Sequence, residues 1–437
     1  MSKKNNNKTP KIRRQSRQSS FIKGMPALPE RFLQQMERLL GPDEARQLAD
    51  ALDESPSVSI RVNRRKVQNP EKFIKRFAAF NPTPVPWCKS GFYLDRRPDF
   101  IHDPLLHAGC YYVQEAASMI YEDIVSTLLP VSSVSKVNIL DLCAAPGGKT
   151  TAILNALVPE VLHGEISSYT IVANELDTHR AKILKENLDK WGDPDIIVTN
   201  SPTSHFAHLD GVFDIVAVDA PCSGEGMMRR ESVARNQWSE NLVTQCSALQ
   251  KEILKDALKT LKPGGILIFS TCTFNEKEDE DNVEWLKENF ALQPLMSPRH
   301  FLPHRERCEG LFIGAFRKPS PLPVEYSNQY GNLTVRLKKT GIKIISQGTE
   351  KTVMKGSVET PSSRKVIAYD FDKEEFPLVE LNKEEAISYL RRNSLILPEE
   401  TPLGYVTVCH EGYPLGLVKN VGSRANNLYP PEWRVVT

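Results

Sequence analysis

The order of apolar and polar positions divides the chain into stretches of different period. Residues 1–25 are polar and basic with no apolar repeat, and predict a disordered tail. PERFLQQMERLLG then spaces apolar residues by three and four and stops at Gly41, and PDEARQLADALD repeats the pattern, so two helices are predicted. SVSIRVNRR, from Ser57, alternates like a strand. A helix over EKFIKRFAAF, a proline-rich turn at NPTPVPW and a helix around QEAASMIYEDIVSTLL follow. From Val137 the rhythm becomes β/α. VNILDLC reads as a buried strand, CAAPGGKT as a loop and TTAILNAL as a helix. TIVANELD, DIIVTN, FDIVAVDAP and GGILIFSTCTF are further strands. The helices THRAKILKENLDKW and LVTQCSALQKEILKDALKTLKPGG lie among them. Strands alternating with helices predict a mostly parallel, doubly wound α/β sheet of Rossmann-like type. Residues 317–368, rich in Pro, Ser, Thr and Lys, read as a linker or irregular segment. Beyond Tyr369 a helix (KEEAISYLRR), short strands (GYVTVCH, YPLGLVKN) and the turn-rich NNLYPPEWRVV predict a small β-rich domain.

This pattern gives a tail (1–25), an N-terminal subdomain (26–135), an α/β domain (136–316), a basic middle segment (317–368) and a C-terminal domain (369–437). At 437 residues the chain is too long for one ordinary core. A hydrophobic fraction of 40% with 25% charged residues suits a globular protein. No apolar run of ~18 residues predicts a membrane span, and the N-terminus lacks the apolar core of a secretory signal, so a cytoplasmic location is expected. The net charge of +2 is unevenly placed. Residues 1–29 carry eight Lys or Arg and no acid, and residues 336–365 carry eight against Glu350 and Glu359. Such segments suit a polyanion, although a solvated tail without a partner has the same composition. The eight cysteines are scattered with no C-x-x-C pair, which predicts neither a metal site nor a disulfide framework. Each is then a small core hydrophobe or a reactive thiol.

Four strand ends carry candidate chemistry. In Asp141-Leu-Cys-Ala-Ala-Pro-Gly-Gly-Lys-Thr, Gly147 and Gly148 allow close backbone approach, and the helix that follows offers N–H groups to an anion, either a phosphate or the carboxylate of a methionine moiety. The loop is neither G-x-G-x-x-G nor a P-loop. Glu175, ending the next strand, is placed to accept both hydroxyls of a ribose. It could instead cap the following helix, a role open equally to Asp177. Asp219-Ala-Pro-Cys222-Ser-Gly follows FDIVAV, and Ser270-Thr-Cys272-Thr ends another strand. A thiol at a strand end is usually packing. Two thiols at the ligand edge of one sheet, with an acid beside them, point to nucleophilic chemistry.

DLCAAPGGKT, the ANE segment, DAPCSGEG and STCTF, in this order and spacing, resemble the Nop/Sun-type RNA (cytosine-5) methyltransferases. SIRVN and AGCYYVQEAAS resemble that family's N-terminal segments, and YLRRNSLIL with PLGLVKNVGSRANNLYPPEWR its PUA-like RNA-binding domain. Among its members, those acting on small-subunit ribosomal RNA are the most similar. The resemblance implies S-adenosyl-L-methionine as cofactor. Cys143, Ala144, Ala145, Pro146, Gly147, Gly148 and Lys149 would hold its methionine end, Glu175 its ribose, and Asp219 would lie between cofactor and target base. It further implies that Cys272 attacks carbon 6 of cytosine and that Cys222 assists release of the product. The partner is then RNA, either ribosomal RNA or the small-subunit particle, or transfer RNA as an alternative. A monomer without metal or membrane partner is expected. The family often carries an acid after the third strand that touches adenine, where this chain has Asn200 and Ser201. DNA cytosine-5 methyltransferases attack with a proline–cysteine thiol, but they lack the CAAPGGK loop and leave the threonine–cysteine motif unexplained. A non-catalytic RNA-binding assembly factor would not need Asp219, Cys222 and Cys272 together.

Overall fold

Why the strand ends meet follows from the sheet order. The computed structural model describes residues 24–129, 136–162, 166, 168–320 and 332–436. The basic tail lies outside the described residues up to position 23. Helices α1 (Glu30–Leu40) and α2 (Pro42–Leu52) are separated by Gly41, which adopts φ +80. They precede a four-stranded sheet made of β1 (Val58–Val62), β2 (Thr83–Val85), β3 (Cys88–Leu94) and β4 (Tyr111–Val113), in the order β2-β3-β1-β4. The NPTPVPW segment, expected as a turn, contributes β2 instead. A proline lacks the ladder N–H, and an edge strand such as β2 tolerates that loss. EKFIKRFAAF is not one α-helix: a single turn, Pro70–Phe73, passes into a 3₁₀ stretch, Ile74–Phe80.

Helix α3 (Ile120–Leu128) leads into the central sheet. Its parallel strands are β5 (Lys136–Asp141), β6 (Ser168–Asn174), β7 (Ile196–Thr199), β8 (Phe213–Asp219) and β9 (Leu261–Thr271). Helices α4 (Gly148–Leu162), α5 (Thr178–Trp191), α6 (Glu240–Thr260) and α7 (Glu280–Phe290) connect or follow them. Short strands β10 (Gln293–Pro294) and β11 (Arg299–Phe301) pair antiparallel with β12 (Leu311–Arg317), which itself runs antiparallel to β9. The strand order β12-β9-β8-β5-β6-β7 reverses between β5 and β8. In such sheets the crevice outside the carboxyl ends at the reversal is where ligands bind. Apolar side chains bury both faces, with Ile139, Ile171 and Ile215 on one and Leu140, Val172 and Val216 on the other.

The middle segment, expected to be irregular, is built into the fold. After residues 321–331, which lie outside the described residues, helix α8 (Leu333–Lys339) leads to β13 (Ile344–Gln347). Strand β13 pairs antiparallel with β7 and so extends the central sheet. Leu333, Leu337 and Ile342 are buried against the core, and these few anchors were hidden by the polar composition around them. A hairpin of β14 (Thr352–Lys355) and β15 (Val358–Pro361) follows. Arg364, one of the basic residues of this segment, is consumed internally: it pairs with Asp189 at 2.9 Å, with Glu350 at 2.6 Å and with Glu432.

The C-terminal sheet has the order β16-β17-β18-β19, from β16 (Leu378–Glu380), β17 (Gly404–His410), β18 (Tyr413–Asn420) and β19 (Ala425–Asn427). Helix α9 (Lys383–Leu390) is closed at its start by a reciprocal capping box of Asn382 and Glu385. This domain shares one apolar core with the N-terminal sheet: Ile60, Phe77 and Tyr111 lie in the same cluster as Tyr389, Leu417 and Trp433. Among the described residues no helix is long and apolar enough to cross a membrane.

Candidate active site

The parallel register puts Asp219, the last residue of β8, opposite Ser270 on β9. Asp219 Oδ1 accepts a hydrogen bond from Ser270 Oγ at 2.7 Å, and Oδ2 accepts one from Lys149 Nζ at 2.7 Å. Ser270 in turn meets the phenol of Tyr121, which is fully buried, at 2.8 Å. Thus α3, the start of α4, β8 and β9 converge on one carboxylate. Burial alone would make Lys149 a weaker base. The charge and hydrogen bond of Asp219 outweigh that and hold it above its ordinary value, so it stays an ammonium.

Cys222 and Cys272 face each other across the same edge, with their sulfurs 3.0 Å apart. The backbone N–H of Cys272 also donates to Cys222 Sγ at 3.3 Å. The hydrogen bond to Cys272 is the main cause that pushes the Cys222 thiol well up, and burial adds to it. Both loops are tied by carboxylates that have no access to solvent. Glu278 accepts from Ser223 N at 3.0 Å, Gln250 Nε2 at 2.7 Å and Asn275 Nδ2 at 2.8 Å. Glu225 accepts from Phe274 N at 2.8 Å and Trp238 Nε1 at 2.9 Å. From above, Phe32, Met36, Leu48 and Leu52 of α1 and α2 pack with Trp238 and Phe274, so the helical hairpin covers these loops.

The glycine loop is braced from the N-terminal sheet. Arg61 on β1 has no solvent access; it donates to Gln114 Oε1 at 2.7 Å, Thr151 O at 3.0 Å and Gly148 O at 3.2 Å. Gly147 adopts φ +107, a conformation that disfavours any side chain. Asp141 lies beneath the loop, fully buried. Its Oδ2 accepts from Thr150 Oγ1 at 2.6 Å, and its Oδ1 has no hydrogen-bond partner. Burial pushes this carboxyl up to about 7, tempered by the Thr150 hydrogen bond and reinforced by the charge of Asp219. Glu175 is buried at the end of β6, where its Oε1 accepts from Asp177 N at 2.9 Å and its Oε2 pairs with Arg180 at 3.2 Å. The cap of α5 is Asp177, whose side chain accepts from Arg180 N at 2.8 Å. The arrangement fits S-adenosylmethionine. An orphaned buried carboxylate oxygen suits its ammonium, the start of α4 its carboxylate and Glu175 its ribose.

The structure brings together Lys149, Asp219, Cys222 and Cys272, and sets the loop Cys143–Gly148 and Glu175 on neighbouring strand ends. Cys143 is the exception in kind: burial drives its thiol strongly upward, so it serves the loop by packing and backbone. Asn200 and Ser201, which stand where the family often has an acid, are both hydrogen-bonded within the protein. Asn200 Nδ2 donates to the carbonyls of Glu175 and Leu176, both at 2.8 Å, and Ser201 Oγ accepts from Lys343 N at 2.8 Å. Sequence reasoning missed Tyr121, Ser270, Glu225, Glu278 and Arg61 as supports of the site. Glu225, Ser270 and Arg61 stand inside the recognised motifs, Arg61 in SIRVN, which was the available signal; Tyr121 and Glu278 carried none. A cavity of about 730 Å³ between α5 and the C-terminal domain, lined among others by Lys182, Met354 and Trp433, contains none of the candidate residues.

Comparison with known proteins places the chain in a family. Residues 127–317 match the family described as 16S rRNA methyltransferase RsmB/F. Residues 28–116 match the N-terminal domain of 16S rRNA methyltransferase RsmF, and residues 376–435 the methyltransferase RsmF PUA domain. A ribosomal RNA small subunit methyltransferase F from Enterobacter sp. (strain 638) is 30% identical over 92% of this chain and 95% of its own length. That from Erwinia tasmaniensis is 28% identical over 92% and 96%. Among solved structures, a methyltransferase homolog protein from Pyrococcus horikoshii has a TM-score of 0.55 and 27% identity, covering 67% of this chain and all of the other. NSun6 from the same organism has a TM-score of 0.57 at 20% identity, covers 67% of this chain and 99% of the other, and shares the fold.

Proposed function

The chain belongs to the RsmB/F family of 16S ribosomal RNA methyltransferases and is an S-adenosylmethionine-dependent RNA methyltransferase, and from that premise we propose how its residues work. The target is carbon 5 of a cytosine in 16S ribosomal RNA, and the reaction passes through a bond between Cys272 and carbon 6. The observation that carries this reading is the meeting of Asp219, Cys222 and Cys272 at the strand ends beside the glycine loop.

S-adenosylmethionine, when bound, supplies the sulfonium methyl group. Asp141, the start of α4 and Glu175 hold it, and Gly147 lets the backbone come close. Carbon 5 of cytosine is a poor nucleophile. Addition of the Cys272 sulfur, as thiolate, to carbon 6 makes the ring an enamine that attacks through carbon 5. The ring nitrogen N3 gains negative charge in that addition. Lys149 and Asp219, 2.7 Å apart, share the proton that neutralises it. After transfer, a base takes the proton of carbon 5, that electron pair restores the ring double bond, and the Cys272 sulfur departs as thiolate. Cys222, 3.0 Å from that sulfur, is the group placed to assist this release. The target base must leave its stack to reach this edge. The basic tail, the basic middle segment and the C-terminal domain would then hold backbone phosphates, which makes binding weaken with salt.

The test is transfer of labelled methyl groups to 16S ribosomal RNA, to the small-subunit particle and to DNA. We expect labelling of RNA, lost by about 10³-fold or more in Cys272→Ala. Full turnover by that variant would sink the assignment, and labelling of DNA instead would sink the substrate.

A further inference from the structure

We propose that Cys222 and Cys272 close into a reversible disulfide when the enzyme meets a hydroperoxide, so that the catalytic edge is also an oxidative modification site. The inference rests on the reading of Cys272 as the attacking thiol, because a group able to attack carbon 6 also attacks a peroxide oxygen.

Three observations support it. The two sulfurs are already 3.0 Å apart, and a disulfide needs about 2.05 Å. Their proximity is enforced by the loops rather than by chance packing: Ser223 Oγ meets Thr273 Oγ1 at 3.0 Å, and Gly226 N donates to Cys272 O at 2.9 Å. A side chain at position 226 would come within 3.1 Å of the carbonyls of Cys272 and Gly310, so this approach is built for glycine. Finally, both thiols are partly open to solvent, as is Cys143 on its own loop, whereas Cys88, Cys110, Cys246, Cys308 and Cys409 are buried.

The chemistry balances with a hydroperoxide as the oxidant. The Cys272 thiolate attacks the peroxide oxygen; the S–O bond forms, the O–O bond breaks and an alkoxide or hydroxide leaves. The resulting sulfenic acid is attacked by Cys222. The S–S bond forms, the S–O bond breaks, and the departing hydroxide takes the Cys222 proton as water. The two sulfurs lose two electrons and the peroxide gains them. Contact between the sulfurs lets Cys222 react before Cys272 advances to the irreversible sulfinic acid. The disulfide blocks attack on cytosine, and a dithiol restores it.

The experiment treats the full-length protein with hydrogen peroxide, blocks free thiols, digests it without reduction and reads the peptides by mass. We expect one dominant product joining the Cys222 and Cys272 peptides, about 2 Da lighter than their sum. Methyl transfer should fall by about tenfold or more and return after dithiothreitol. In Cys222→Ser the joined peptide should vanish. Cys272 should then be found as sulfinic acid, and capture of RNA by Cys272 should be lost without recovery. Sulfinic acid at Cys272 of the unaltered protein with no joined peptide, or a joined peptide using another cysteine, would overturn the proposal. The linkage is read by mass alone, so an enzyme that forms it but fails to methylate RNA would count against the functional reading and not against this one.

Discussion

The supports beneath the carboxyl edge of the central sheet and the seam between the N-terminal sheet and the C-terminal domain both exclude water, with opposite contents. At the edge the buried groups are polar: Asp141, Glu225, Glu278 and Asp279 have almost no solvent access. At the seam they are aromatic and aliphatic, with Phe77, Tyr111, Tyr389, Leu417 and Trp433 in one cluster and Tyr389 and Tyr429 in edge-on contact at 5.3 Å. Burying carboxylates costs free energy unless donors meet them, and burying apolar surface contributes it. The edge is therefore organised for chemistry at the expense of stability, and the seam supplies stability without chemistry. Arg61 joins the two regimes, since it leaves the N-terminal sheet to brace the first turn of α4.

That difference can be broken at its joint. Arg61→Met removes the donor to Gln114, Gly148 and Thr151 together. We expect a loss of about 3–5 kcal/mol in urea unfolding and weaker cofactor binding with it. Stability and binding both unchanged would separate the two regions. Leu417→Ala, deep in the seam, should cost about 2–5 kcal/mol by cavity formation, with kcat on a short RNA within about twofold. A kcat that fell as far as stability would show the seam to be part of the chemistry.

The smallest expected effect sharpens the comparison at the edge. Burial holds Asp141 up to about 7 in the folded protein, against an ordinary value near about 4. The folded state thus holds a proton that the unfolded state releases. Its stabilising share is fully present below about 4, falls as pH rises, and is gone above 7. A bound ammonium favours the carboxylate, so cofactor affinity should rise with pH through this window and binding should release up to one proton. Calorimetry in two buffers of different ionisation enthalpy reads that release, and Asp141→Asn should abolish it. The same proton release in the variant would place its source elsewhere.

The parallel sheet was legible because its strands are short apolar runs that end in glycine, proline and acid, and the motifs mark where the chain meets ligand. The supports were not, because they act across the fold. Arg61 sits in an alternating strand like any exposed arginine, and only the packing of that strand on α4 buries it. Tyr121 looked like one more apolar position of a helix until β9 placed Ser270 against it. Strand β13 was hidden because half of it, Ser346 and Gln347, is polar and shows no alternation, and its pairing to β7 is made by backbone. The division of labour between the two thiols rested on resemblance. The 3.0 Å contact brings the two thiols together and leaves their roles to the adduct experiment below.

The most direct test of the central claim uses Cys222→Ala with a cytosine-containing fragment of 16S ribosomal RNA and S-adenosylmethionine, run on a denaturing gel and mapped by mass. Without the thiol that assists release, the account predicts a protein–RNA adduct that survives denaturation and maps to Cys272. No adduct, together with normal turnover, would contradict the release role, and an adduct mapping to any other residue would contradict the nucleophile.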